Sequence, residues 1–457
     1  LFRKKDNPFD RGLPNESNKI EIIIQSQFFN DFIEEYETEI TRLFYLSRLP
    51  FINLILLPLN NVNNNFRNIL EQHNFSIPIY EKKQVNGNKI IFSTKDYELV
   101  VLNGELDCWK DKMFESGQIS VPDMQTINHL VPDYFIMDKQ DPYLKRKDGN
   151  IRKVGIQQFF DEVRILLVHH QIFYSHFNHL IKGQMVYNNY RLMSKFTKAF
   201  ELGFYYKKVS EETSVLKQNY STSLTNRLYL LCKSVDEIEF YSYKTPNNDT
   251  KDEALYHLGY YIMLLTGSFE NIAGVIKGLH NVELKHHKEL SIRVYNHKEN
   301  NPLLIRVIQK NPELVRYLLD NKVKTFINLV YEIRDTLQHR DYIQGMGSSS
   351  PNGKNPNLLW IPEENAESFE RLDGEFQKKL SFDGKLEGGY LFNMHQFTKR
   401  LFEFSVEMVN DIMHLINIYL HKELSLTDKS IVEKRIDEFR QGNSYIMRIG
   451  KDSLYFN

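Results

Sequence analysis

At 457 residues, 41% hydrophobic and 13% aromatic, the chain can build two or three domains with real cores, which excludes a disordered polypeptide. Its 58 Lys+Arg against 59 Asp+Glu leave a formal net charge of −1, so any contact with nucleic acid must come from local patches and not from a global field. Two cysteines, Cys108 and Cys232, exclude a disulfide framework and a zinc cluster and fit a reducing cytosol.

The first residues, Leu-Phe-Arg-Lys-Lys-Asp-Asn-Pro, hold no apolar stretch of the kind a secretory signal needs, and because they begin without Met a start further upstream is an open expectation. The most apolar run, Leu46 to Leu59, is too short to span a bilayer and contains Arg48, Pro50, Asn53 and Pro58. A cytoplasmic protein without a membrane segment is expected.

Residues 1–152 read as a mixed α/β region of unassigned role. Lys19-Ile20-Glu21-Ile22-Ile23-Ile24 suits a strand; Asn88 to Ser93 and Tyr97 to Leu102 suit a strand pair. Ile33, Tyr36, Ile40 and Leu43 suit a helix between them. No glycine-rich phosphate loop and no acidic cluster with clear metal spacing appears. Tyr143 to Lys153 is basic and turn-like, a domain boundary by composition and a phosphate-contacting patch only as the sharper alternative.

Residues 153–245 read as helical. Ile156, Phe159, Val163, Leu166, His170, Phe173, Phe177 and Leu180 alternate by three and four, the period of one helix with a buried stripe. Arg164 and His169 form an Arg-x4-His pair, and His169, His170, His176 and His179 cluster. A degenerate catalytic motif and a histidine metal site are both open. The apolar Ile-Leu-Leu-Val after Arg164 and the place of His170 on the stripe favour core histidines, so no metal is expected. Tyr241 to Asp252 reads as a linker, with Asp252 positioned to cap the next helix.

Residues 246–425 read as a four-helix bundle. The first helix carries Leu255 through Leu279, the second Leu303 to Leu319 with a break at Asn311-Pro312, and the fourth Phe397 through Tyr419. The third carries Val323, Phe326, Val330, Ile333 and Leu337 as its buried stripe. An insertion near 343–390, rich in Gly and Ser at its start, is long for a bundle connection and is read either as a lid or as a surface loop. The tail, 426–457, reads as a short helix with a strand-like end.

On the third helix a polar cluster, Arg334-Asp335 and His339-Arg340-Asp341, faces away from the stripe. Its Arg-Asp-x-x-x-His spacing resembles the signature of the HEPN superfamily, small all-α bundles that are often metal-independent ribonucleases. The fold class expected is therefore mainly α: a HEPN-like bundle preceded by a helical region and a mixed α/β region. The resemblance covers about 170 residues. Tyr342 stands three residues after His339, where one branch of the family has a tyrosine two after.

The residues suit that chemistry. An imidazole titrates near neutrality and can serve either proton transfer of RNA cleavage, and a guanidinium offers a charged fork matched to phosphate oxygens. Arg334 and His339, five residues apart, lie about 140° apart around a straight helix, whereas Asp335 and His339 share a face. His339 is the expected general acid/base, Arg334 the phosphate clamp and Asp335 the orienting residue, with Arg340, Tyr342 and Gln338 as substrate contacts and no cofactor. The resemblance further implies RNA as substrate, a homodimer that brings two Arg-His pairs into one cleft, a regulatory or antitoxin partner, and a bacterial defence or toxin role. A catalytically inactive RNA-binding or adaptor bundle is the alternative.

Overall fold

The structure, a computed structural model, describes residues 7–15, 18–25, 42–43, 46, 49–57, 81–86, 89–93, 98–102, 133–136, 152–173, 184–212, 219–295, 300–339, 343–347, 357–363, 367–372, 374–442 and 446. The fold is mainly α with smaller sheets, as the residue pattern leads one to expect. It divides into two compact units, Leu1–His170 and Gln171–Asn457.

The first unit contains β1 (Ile20–Gln25), β2 (Ile52–Leu57), β3 (Glu81–Asn86), β4 (Lys89–Ser93), β5 (Glu98–Leu102), β6 (Tyr134–Ile136), β7 (Arg152–Val154) and the helix α1 (Ile156–His169). Strands β2-β1-β6-β7 form a sheet in that order, parallel throughout. Ile20, Ile22 and Ile24 of β1 are buried, and such β-branched side chains fit a covered pleated surface. The expected strand pair is present as β4 and β5, antiparallel and joined by β3 in a separate sheet. Asp133 ties the parallel sheet to the chain's start: its carboxylate accepts from the Glu21 amide at 2.8 Å and pairs with Arg11 at 2.8 Å.

Helix α1 buries Ile156, Phe159, Val163 and Leu166, and Phe159 meets Tyr134 of β6 edge to face. The stripe continues in sequence to Leu180, but the helix does not. His170 is its C-cap, and Gln171 turns into the left-handed region at φ 58°. Because α1 packs in the first unit, the division falls after His170 and not at 152. The helix expected around Ile33 and most of the basic segment Tyr143 to Lys153 lie outside the described residues.

The second unit holds α2 (Gln184–Lys195), α3 (Thr197–Glu212), α4 (Asn219–Tyr243), α5 (Asn248–Leu279), α6 (Pro302–Val307), α7 (Pro312–Leu319) and α8 (Asn321–His339). After these come β8 (Gln344–Gly347), β9 (Asn357–Pro362), α9 (Glu367–Glu370), α10 (Gly374–Lys379), β10 (Phe382–Leu386), β11 (Gly389–Asn393), α11 (Met394–Glu423) and α12 (Leu426–Arg440). One apolar core runs from Leu192 to Ile436, so α2–α4 share the interior of the bundle that follows them.

The expected linker at 241–252 is a tight corner. Only residues 244–247 break the helices, and α5 is capped by Asn247, in a reciprocal capping box with Thr250, rather than by Asp252. Along this hairpin the guanidinium of Arg227 on α4 lies in the space a Cβ at Gly267 would take, so a side chain there would have to displace it. Helix α5 is also long and apolar enough to cross a membrane by length and composition, but 67% of that window is buried inside the unit, as in a core helix. The break at Asn311-Pro312 is real, with Asn311 capping α7.

The described parts of the insertion are folded, and most of its Gly- and Ser-rich start lies outside the described residues. Strands β10-β11-β9-β8 form an antiparallel sheet, turned at Glu387 and Gly388, both at positive φ. Trp360 lies flat against Gly389, where any side chain would clash, and Phe369, Phe376, Tyr390 and Phe392 join the common core. Helix α12, capped by Ser425, is the expected appended helix; its strand-like continuation lies outside the described residues.

Candidate active site

Helix α8 starts at Asp320, whose carboxylate accepts from the amides of Lys322 at 2.9 Å and Val323 at 3.4 Å. Val323, Phe326, Val330 and Ile333 are buried as the stripe requires. Leu337 is not: it is 38% exposed, at the rim of the core over Gly259 of α5, near a spacing expected to keep it inside. The apolar face ends one turn early because α8 outruns the core: Leu337 and Gln338 are exposed and Arg334 and Asp335 part-buried, while Thr336 between them stays buried.

The polar side of α8 faces an extended segment, Ser291 to Tyr295. Ile292 and Val294 point into the core, which turns Arg293 the other way. The segment is pinned by side-chain amides. Asn328 of α8 donates to the Val294 carbonyl at 2.7 Å, and Asn301 donates to the carbonyls of Ser291 and Arg293 at 2.8 and 2.9 Å.

Here the charges meet. Asp335 Oδ1 accepts from Arg334 Nε at 3.1 Å and Nη2 at 2.8 Å, while Asp335 Oδ2 faces Arg293 Nη1 at 3.5 Å. Arg293 Nε also donates to Asn328 Oδ1 at 3.0 Å. The ring of Tyr331 takes both guanidiniums, with Arg293 at 4.8 Å and Arg334 at 4.9 Å from its centroid. Burial, then Glu270, pushes the Tyr331 phenol up to about 12, with the two arginines opposing. Glu270 of α5 lies 3.9 Å from Arg334. Burial raises the Glu332 carboxyl, which nonetheless holds the start of α9 through the Ser368 amide and hydroxyl at 2.9 and 2.5 Å.

Arg334 is thus half-buried on α8 and closely partnered. Asp335, expected to orient His339 one turn along, holds two guanidiniums: its immediate neighbour supplies a fork at bonding distance. Gln338 is exposed and its amide reaches Met263 Sδ at 3.1 Å. His339 ends α8, but its side chain, like Arg340 and Tyr342, lies outside the described residues.

Elsewhere, His169 and His170 contact each other edge to face at the end of α1, and His176 and His179 fall outside the described residues. No group of three metal-binding side chains occurs among the described residues. The sequence reading missed Arg293, Tyr331 and Glu270. The signal for Arg293 was available: Ser-Ile-Arg-Val-Tyr alternates with period two, which separates arginine from the buried pair.

No family model, curated protein or solved structure matches the chain.

Proposed function

We propose that the second unit is a metal-independent endoribonuclease of HEPN type. The observation that carries this reading is the guanidinium of Arg334, held half-exposed on the same helix as His339 and beside a second guanidinium from Arg293. Such a pair suits the non-bridging oxygens of one phosphodiester. In the proposed reaction the 2′-hydroxyl gives up its proton and its oxygen bonds to phosphorus. The P–O5′ bond breaks, and the 5′-oxygen takes a proton. His339 performs proton transfer and Arg334 stabilises the phosphorane.

Because Arg334 and His339 diverge around α8, the active form is proposed to be a homodimer in which each copy completes the other's cleft. A cytoplasmic role in bacterial defence or as a toxin, under a regulatory or antitoxin partner, follows from the same resemblance. The test is incubation of purified protein with total RNA in EDTA. Chelator-resistant cleavage leaving 2′,3′-cyclic phosphate and 5′-hydroxyl ends is expected; cleavage that EDTA stops would move the chemistry elsewhere.

A second reading, an inactive RNA-binding or adaptor bundle, is favoured by the internal pairing of Arg334 with Asp335 and Glu270. It predicts binding that survives His339→Ala and no cleavage by the wild type.

A further inference from the structure

Two guanidiniums from separate segments converge on one carboxylate that belongs to neither segment's core. Arg334 and Asp335 are 23% and 27% exposed and Arg293 is 13% exposed, so the ion pair opens to solvent instead of being sealed. Arg293 has a partner besides Asp335, whereas both hydrogen bonds of Arg334 go to Asp335 and its remaining supports are the Tyr331 ring and Glu270. Arg293 is held by Asn328 and lies over Tyr295 and Tyr331, and Arg334 lies over Tyr331 from its own helix. A carboxylate and a phosphodiester each offer two anionic oxygens to such forks. Among the described residues Asp335 is the one acid that both guanidiniums share, Glu270 lying beside Arg334 and Glu332 interacting with Arg293, so taking Asp335 out of the site leaves more positive charge there.

We propose that Asp335 is an internal stand-in for a phosphodiester and that Arg293 is a second phosphate-binding residue: an RNA phosphate displaces the carboxylate and takes both guanidiniums. This rests on the reading of RNA as the substrate class. Partly exposed ion pairs contribute little, so the exchange costs little, and the displaced carboxylate turns into water. The site is thereby held closed to weak anions and opened by a polyanion that brings several contacts at once.

The test is binding of a single-stranded 2′-O-methyl RNA, which cannot undergo 2′-attack, followed by fluorescence anisotropy across a salt series. Asp335→Asn keeps the shape and removes the charge, and is expected to bind about tenfold tighter. Arg293→Ala is expected to bind more weakly and to flatten the slope of log affinity against log salt by about 0.7, one phosphate contact on a single strand. Arg293→Lys, which keeps the charge without the fork, should fall between wild type and alanine. Equal or weaker binding by a folded Asp335→Asn protein overturns the proposal, as does an Arg293→Ala variant whose melting temperature falls while its salt slope holds. Should Asp335→Asn fail to fold, the Arg293 slope decides. Cleavage of unmodified RNA is read separately. Its absence in the wild type removes the nuclease reading and leaves these binding results standing, whereas flat binding beside chelator-resistant cleavage removes only this inference.

Discussion

Among the described residues of the second unit, arginine meets aspartate at two places, Asp236 and Asp335, and these are built for opposite ends. Arg191 of α2 pairs with Asp236 of α4 with side chains only 8% and 5% exposed. Tyr187 donates to the same carboxylate at 3.0 Å, Arg191 donates to the Cys232 carbonyl at 3.0 Å, and its guanidinium lies 5.5 Å from the Phe402 ring. Burial around that pair pushes the neighbouring Cys232 thiol up to about 12. The Arg334–Asp335 pair uses the same chemistry at the rim, with a second arginine waiting on the other carboxylate oxygen. The sealed pair fixes helices. The open pair is part-exposed and shared with a second arginine, and that difference is what the proposed site rests on.

The largest contrast should appear in activity. Arg334→Ala is expected to lower RNA cleavage about 10²–10³-fold, the effect of removing one preorganised donor to a developing anion. Its stability, read by urea unfolding, should change by less than about 1 kcal/mol because the pair is part-exposed. Arg191→Ala should show the reverse. Leaving Asp236 buried without its partner should cost about 3–5 kcal/mol, with cleavage per folded molecule unchanged. Equal stability losses in the two variants would erase the distinction.

His280 sharpens the comparison from the side of pH. It is 1% exposed, neither ring nitrogen has a hydrogen-bond partner among the described residues, and it packs edge-on against Tyr419. The Lys310 ammonium sits on its backbone carbonyl. Burial, then Lys310, lowers its pKa to about 4. The folded protein keeps this histidine neutral while the unfolded chain protonates it near 6.5, so stability is full above that value and falls as pH drops toward 4. The loss should reach about 3 kcal/mol, and His280→Leu should remove that part of the pH dependence in denaturation curves. The smallest effect belongs to Leu337→Gln: at the exposed rim it should leave stability within about 0.5 kcal/mol.

The long helices were legible because their stripes are local. Leu255 to Leu279 and Phe397 to Tyr419 carry the helical period within one element, and Asn311-Pro312 marks a break that only local chemistry decides. What failed was non-local. The parallel sheet joins Ile22 to Tyr134, more than a hundred positions on, and no period announces such a pairing. Leu337 matched the stripe but the core had already ended beneath it. Likewise Arg334 and Asp335 stood out by motif, whereas Arg293 reaches the same carboxylate from another segment, placed there by Asn328 and Asn301.

The most direct trial places wild type and His339→Ala beside each other on a labelled single-stranded RNA in excess EDTA. The wild type is expected to cut it to a 2′,3′-cyclic phosphate end, and His339→Ala to be slower by about 10²–10⁴-fold at an unchanged melting temperature. Cleavage that persists in His339→Ala, or none from a folded wild-type dimer, would contradict a nuclease built on α8.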